Sequence, residues 1–204
     1  IYVQRDYSEV MDRRPVALVD SGLDALAPRR ARMAGTAVHL VISSLDLKQP
    51  VTLEAVERTK GRLVETGAIP ADVAEDVDVR AILAFFESEL SSVVRDERSA
   101  VWQEWSFTYG FPASELDRPG GEQSGMAEEI VVVQGWIDLL VQTPEGLLVI
   151  DFKTDRVSAD EADKRAEVYR GQLELYAKAA AAIRGTPVLE RWLYFLTPRR
   201  AVQV

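Results

Sequence analysis

The chain has 204 residues, a formal net charge of −9, 47% hydrophobic and 28% charged residues, and no cysteine. That length builds one generous domain with a real core, while the missing cysteines exclude disulfides, a cysteine-ligated zinc and a cysteine-held iron–sulfur cluster. The acidic balance excludes nucleic-acid binding by bulk electrostatics, and no apolar run approaches the roughly 18 residues that would span a membrane.

In chain order, residues 1–28 read as a linker or edge segment from an upstream domain, with VALVD at 16–20 as a possible short strand and Pro28 as a break. The opening at Ile1 lacks both an initiator methionine and a secretory pattern, so we expect a fragment of something longer or a processed product, in a cytoplasmic setting. A basic cluster, Arg29, Arg30 and Arg32, then precedes a helix expected from Thr36, with Thr36 as its N-cap. Such a cluster is either plain surface or a contact for a nucleic-acid backbone. Helical patterns follow at 52–66 and 71–98, separated at Pro70, the second carrying an apolar stripe of Ile82, Leu83, Phe85, Phe86 and Leu90. Val101 to Tyr109 alternates and is rich in aromatics, so a strand is expected there. Residues 112–128, with Pro119-Gly120-Gly121, read as a mobile loop. After the hairpin described next come a charged run at 157–167 expected to loop over the site, a helix over 160–184, a strand over 188–196 and a last short strand at 201–204. The order is α/β with a central mixed sheet.

The informative stretch is Ile130 to Thr154, two apolar strands about the turn Thr143-Pro144-Glu145-Gly146. Asp138 interrupts the first strand, Asp151 and Lys153 the second. A turn centred between Pro144 and Glu145 sets Asp138 opposite Asp151, with Cβ atoms roughly 4.5–5.5 Å apart. Asp151 and Lys153 share a face. Facing carboxylates repel, so a positive group belongs between them: the lysine, a hard divalent cation, or both. The same charges also fit a buried ion pair or a register shifted by a bulge.

Other residues gain meaning only in combination. His39, the single histidine, is a packed residue or a metal ligand. Glu104 is a solvated strand residue unless it joins the acidic pair. Gln172 and Tyr176 lie four apart on one helix face, with Tyr169 on the same side, placed to reach a phosphate or to order the lysine. No GxxxxGK[ST] phosphate loop occurs, so no ATPase motor is visible.

Taken together, Gly35-Thr36-x-x-His39, Glu104, Gly135-x-Ile137-Asp138, Asp151-Phe152-Lys153-Thr154-Asp155 and Gln172-x-x-x-Tyr176 resemble the RecB-type PD-(D/E)xK nuclease family, in the form found at the C-terminus of AddA-type helicase–nucleases. The resemblance runs over about residues 30–198 and implies a nuclease domain over 29–204, with a restriction-endonuclease-like core, a central mixed sheet flanked by helices, and an N-terminal helical region. It implies that His39, Asp138, Asp151 and the backbone carbonyl of Phe152 hold Mg²⁺, with Mn²⁺ as a substitute. Lys153 would orient the attacking water and stabilise phosphate charge. Glu104 would serve a second metal or its water, and Gln172 and Tyr176 would work beside the catalytic centre and the DNA. Arg29, Arg30 and Arg32 are the further candidates for touching DNA. The implied activity is exonucleolytic hydrolysis of DNA, ATP-dependent when joined to upstream helicase domains that feed in single strands, with an AddB-like second subunit, during processing of double-strand ends for recombinational repair. A degenerate nuclease fold that binds DNA or protein is the alternative. An unrelated acidic interaction module is a third reading.

Overall fold

The structure, a computed structural model, describes residues 29–112 and 130–204. The linker and strand expected before Arg29 lie outside that range, as does the loop expected at 112–128, apart from Pro112, which ends a strand. The described residues form six helices and five strands in the order α1 (Arg29–Ser43), α2 (Leu53–Glu65), α3 (Ala71–Ala74), α4 (Val79–Glu87), α5 (Ser92–Arg95), β1 (Ala100–Pro112), β2 (Ile130–Gln142), β3 (Leu147–Lys153), α6 (Ala162–Arg184), β4 (Val188–Phe195) and β5 (Arg200–Gln203). The strands form one mixed sheet, ordered as in the chain, with β3 and β4 parallel and the other neighbours antiparallel. The parallel pair needs a crossover, and α6 supplies it.

Three expectations are corrected. First, α1 begins at Arg29, so Thr36 lies inside the helix and its hydroxyl donates back to the Arg32 carbonyl at 3.1 Å instead of capping. Second, 71–98 is three short helices. Asp78 caps α4 by accepting from the backbone N–H groups of Arg80 and Ala81. Ser91 then donates its hydroxyl to the carbonyls of Phe86 and Ser88 at 2.8 Å, which ends that helix where the apolar stripe alone gives no stop. Third, the second half of the charged run is the first turn of α6, not a loop.

Each face of the sheet has its own cover. Val41, Ile82 and Phe85 from α1 and α4 pack on Leu139, Val141, Ile150, Phe152 and Tyr194. On the other face α6 packs against Phe107, Ile137, Leu140 and Val149, and further along against Leu193 and Phe195. Strand β3 is buried on both sides up to Phe152, which is why it reads as one apolar run interrupted only by its charges.

Strands β1 and β2 switch faces part-way. On β2, Val133 and Ile137 pack toward α6, but beyond Asp138 the odd positions Leu139 and Val141 pack toward α1 and Leu140 toward α6. On β1, Phe107 and Phe111 face α6, whereas Gln103 donates to the α1-side carbonyls of Ile42 and Leu45. The pairing runs Gln103 with Leu139, then Trp105 with Ile137, and omits Glu104 and Asp138 between them. Glu104 has φ 47°, the left-handed region. Period-2 alternation has slipped by one residue in both strands at one level, so register is kept while every later side chain changes side.

Phe85 is fully buried and meets Phe86, Phe152 and Tyr194 edge-on with ring centroids 5.0, 4.7 and 5.0 Å away. Phe85→Ala should destabilise the chain by about 3–5 kcal/mol, seen as a lower denaturant midpoint with an unchanged slope; a loss below about 1 kcal/mol would contradict this packing.

Candidate functional site

The face switch creates the site. Pairing of β2 with β3 follows the expected register from Gln142–Leu147 to Leu139–Ile150 and stops one pair short of Asp138 and Asp151. By count, Glu104 on β1, Asp138 on β2 and Asp151 on β3 therefore occupy one row across the sheet, and the β1–β2 and β2–β3 ladders are open along that row.

Side chains fill the gap. The Asp138 carboxylate accepts from the Phe152 N–H at 2.6 Å through Oδ2 and meets Nδ1 of His39 at 2.9 Å through Oδ1. Phe152 thus enters the site through its backbone N–H, a contact the sequence did not suggest. His39, Glu104 and Asp138 offer ligand atoms that all lie within 4.8 Å of one another. Asp151 is almost wholly buried, and its Oδ2 lies 2.9 Å from Lys153 Nζ. The Lys153 ammonium is the partner of this buried oxygen among the described residues.

The electrostatics follow from crowding three carboxylates against one ammonium and one imidazole. Burial raises the Asp151 pKa, Lys153 opposes the rise and Asp138 adds to it. Burial raises Glu104 too, reinforced by Asp138. For His39, burial works against the charged imidazole, but attraction to Asp138 and their hydrogen bond outweigh it and lift the pKa to about 9. Burial likewise disfavours the Lys153 ammonium, and Asp151 outweighs it, so the pKa is raised. Three carboxylates gathered round one imidazole and one ammonium, two of them with raised pKa values, are a donor set that a hard cation would satisfy. The residues present fit a divalent metal.

Helix α6 supplies the remaining groups. Lys153 Nζ donates to Gln172 Oε1 at 3.3 Å, and Gln172 Nε2 donates to the Tyr176 hydroxyl at 2.8 Å. Gln172 thus touches the lysine directly, and Tyr176 reaches it only through Gln172. Glycine governs two of the approaches. A Cβ on Gly35 would stand 3.1 Å from Thr154 Oγ1, and one on Gly135 would stand 2.9 Å from the Tyr176 ring. The arginine cluster is divided: Arg30 pairs with Asp76 at 2.6 Å, while Arg29 is exposed at the start of α1. Tyr169, on the helix face of Gln172, lies against Lys153, and its hydroxyl meets Asp155, the last residue of the quoted motif, together with Arg165. Tyr169 carried a signal, because it shares the helix face of Gln172. Arg165 carried none.

Fold and site together define a class: a mixed α/β domain whose broken sheet row gathers acids, an imidazole and a lysine, as in metal-assisted nucleases. A family model for the PD-(D/E)XK nuclease superfamily matches residues 17–203, and the chain belongs to that superfamily. It is 36% identical over 177 residues to an ATP-dependent helicase/nuclease subunit of Bacillus cytotoxicus, covering 83% of this chain and 14% of the relative. The protein of the same name from Moorella thermoacetica is 38% identical over 162 residues, 79% of this chain and 11% of its own length. That from Lacticaseibacillus paracasei is 33% identical over 162 residues, 79% and 13% respectively. The chain therefore spans a small fraction of these curated relatives and is homologous to one part of them. Among the described residues, no helix is long and apolar enough to cross a membrane.

Two outcomes follow from this geometry. The raised His39 pKa means that, without metal, its pairing with Asp138 stabilises fully below the ordinary pKa of 6.5 and is lost as pH rises through about 9. Melts in EDTA should show wild-type stability falling across that window relative to His39→Ala; parallel curves would refute the pairing. A left-handed non-glycine residue costs about 1–2 kcal/mol, so Glu104→Gly should exceed Glu104→Ala in stability by about 1 kcal/mol in chemical denaturation. Equal stabilities would remove the strain from Glu104.

Proposed function

We propose that this domain is a Mg²⁺-dependent deoxyribonuclease, the exonuclease part of an ATP-driven helicase–nuclease that processes double-strand DNA ends. The observation that carries the reading is the convergent group of His39, Glu104 and Asp138 beside the buried Asp151 carboxylate, which has Lys153 as its ion-pair partner. Mg²⁺, or Mn²⁺ in its place, would be held by His39, Asp138, Asp151 and the Phe152 carbonyl, with Glu104 serving a second ion or its water. Such a cation would supply an activated water near neutral pH and offset negative charge on the phosphate.

The protein's own groups do the rest. Lys153 keeps a fixed positive charge beside the reacting phosphate and donates hydrogen bonds to the charge that grows there. Gln172, itself held by Tyr176, fixes the lysine's direction. Asp138, tied to both the Phe152 N–H and His39, holds the imidazole in place. Arg29, Arg30 and Arg32 are the further candidates for touching DNA, Arg30 pairing also with Asp76.

The net charge of −9 supports substrate delivery by a motor, because a domain that is handed a single strand need not hold it tightly. A cytoplasmic setting, upstream helicase domains and a second, AddB-like partner belong to the same reading.

Single-stranded DNA degradation with Mg²⁺, Mn²⁺ or EDTA is the test. Asp151→Ala and Lys153→Ala should each lower cleavage by at least about a hundredfold. Only Asp151→Ala should also weaken metal binding, read as the rise in melting temperature with Mg²⁺; saturation at about a hundred times Kd stabilises the wild type by about 2.7 kcal/mol. Undiminished cutting by Asp151→Ala would overturn the assignment. Metal-stabilised protein that never cuts would favour the binding-module alternative.

A further inference from the structure

The lysine has a second support that neither the motif nor the metal requires. Lys153 Nζ lies 4.1 Å from the centroid of the Tyr169 ring. That ring has no solvent exposure, and its hydroxyl lies 3.0 Å and 3.1 Å from the two Asp155 carboxylate oxygens. Arg165 donates to the same hydroxyl at 3.0 Å and pairs with Asp155 through Nε at 2.5 Å. Asp155 follows the Asp-x-Lys strand by two residues, and Arg165 is one turn before Tyr169 on α6. The two segments that carry the lysine's surroundings are thus locked together behind the ring.

Three groups hold the ammonium: Asp151, Gln172 and Tyr169. They are not equivalent. Asp151 is also assigned to the cation, and a carboxylate shared with a divalent ion holds an ammonium less firmly. Gln172 makes a long hydrogen bond. The aromatic face attracts the ammonium through its quadrupole and does not compete for metal. A tyrosine that donates to a carboxylate has a more electron-rich ring, which strengthens that attraction.

We propose that Tyr169 is the positioning residue for Lys153, its ring forming the seat of the ammonium and Asp155 with Arg165 anchoring that seat. The inference rests on the nuclease reading for its kinetic consequence and on geometry alone for the seat itself.

The ¹³C-labelled lysines of the 204-residue chain provide a readout apart from activity. The Lys153 ε-methylene signal, assigned by its loss in Lys153→Ala, should be shifted upfield by the ring current. The shift should persist in Tyr169→Phe and vanish in Tyr169→Leu. In cleavage, Tyr169→Leu should lower kcat about tenfold with KM and the Mg²⁺ midpoint unchanged, Tyr169→Phe should restore most of that loss, and Lys153→Ala/Tyr169→Leu should be no worse than Lys153→Ala. If Tyr169→Leu does not fold, phenylalanines of increasing ring fluorination at 169 change electron density at nearly constant size, and kcat should fall with each fluorine. A Lys153 signal indifferent to Tyr169→Leu, a flat fluorination series, or independent losses in the double variant would each overturn the proposal. Wild-type chain that cuts no DNA would sink the nuclease reading, while the ε-methylene shift still decides the seat.

Discussion

Mutual repulsion among Glu104, Asp138 and Asp151 is the constraint that the rest of the site answers to. Placed in one row across three adjacent strands, their side chains cannot all be buried and ionised in a regular ladder. The β1–β2 and β2–β3 pairings are missing at that row, while Asp151 keeps its pairing with Leu193 of β4. The β1–β2 and β2–β3 ladders both lapse at Asp138, and its carboxylate takes over the Phe152 N–H that the lapse exposes. His39 from α1 and Lys153 at the strand end then balance the charge, and Gln172 from α6 accepts from the lysine. The opening that weakens the sheet is the same opening that gives a cation and a phosphate access to it.

Much of this was legible in the sequence because the hairpin is local. The turn residues fixed its centre, the centre fixed the register, and the register put Asp138 level with Asp151 and Lys153 on the face of Asp151. The Thr143 hydroxyl accepting from the Glu145 and Gly146 N–H groups and the Thr143 N–H bond to the Gly146 carbonyl hold that turn where it was read. The resemblance supplied His39 and Glu104, which no local pattern singles out.

What stayed hidden depended on long-range contacts. Nothing in Gln103-Glu104-Trp105 announces a left-handed residue, since the face switch is stable only because β2 switches at the same level. The turns of α1 ahead of Thr36 were obscured because threonine is a common cap residue, whereas the helix runs through it from Arg29. The breaks after Phe86 are set by serine hydroxyls bonding to carbonyls, a choice made in competition with the helix itself. Asp155 and Arg165 are ten apart in sequence across a strand–helix connection, so their meeting is a product of the crossover and not of either element's periodicity.

The crossover has a further consequence. Asp151, Lys153, Asp155, Arg165, Tyr169, Gln172 and Tyr176 all belong to one strand–helix unit, within 26 consecutive residues. That unit assembles from near neighbours along the chain, which makes its closure entropically cheap. His39 and Glu104 must travel to it from segments 112 and 47 positions before Asp151, by subtraction of their numbers (151 − 39 and 151 − 104). On the nuclease reading, a half-assembled domain therefore possesses its ammonium and lacks its cation. On that reading the cation site is complete only once the long-range contacts of His39 and Glu104 have formed.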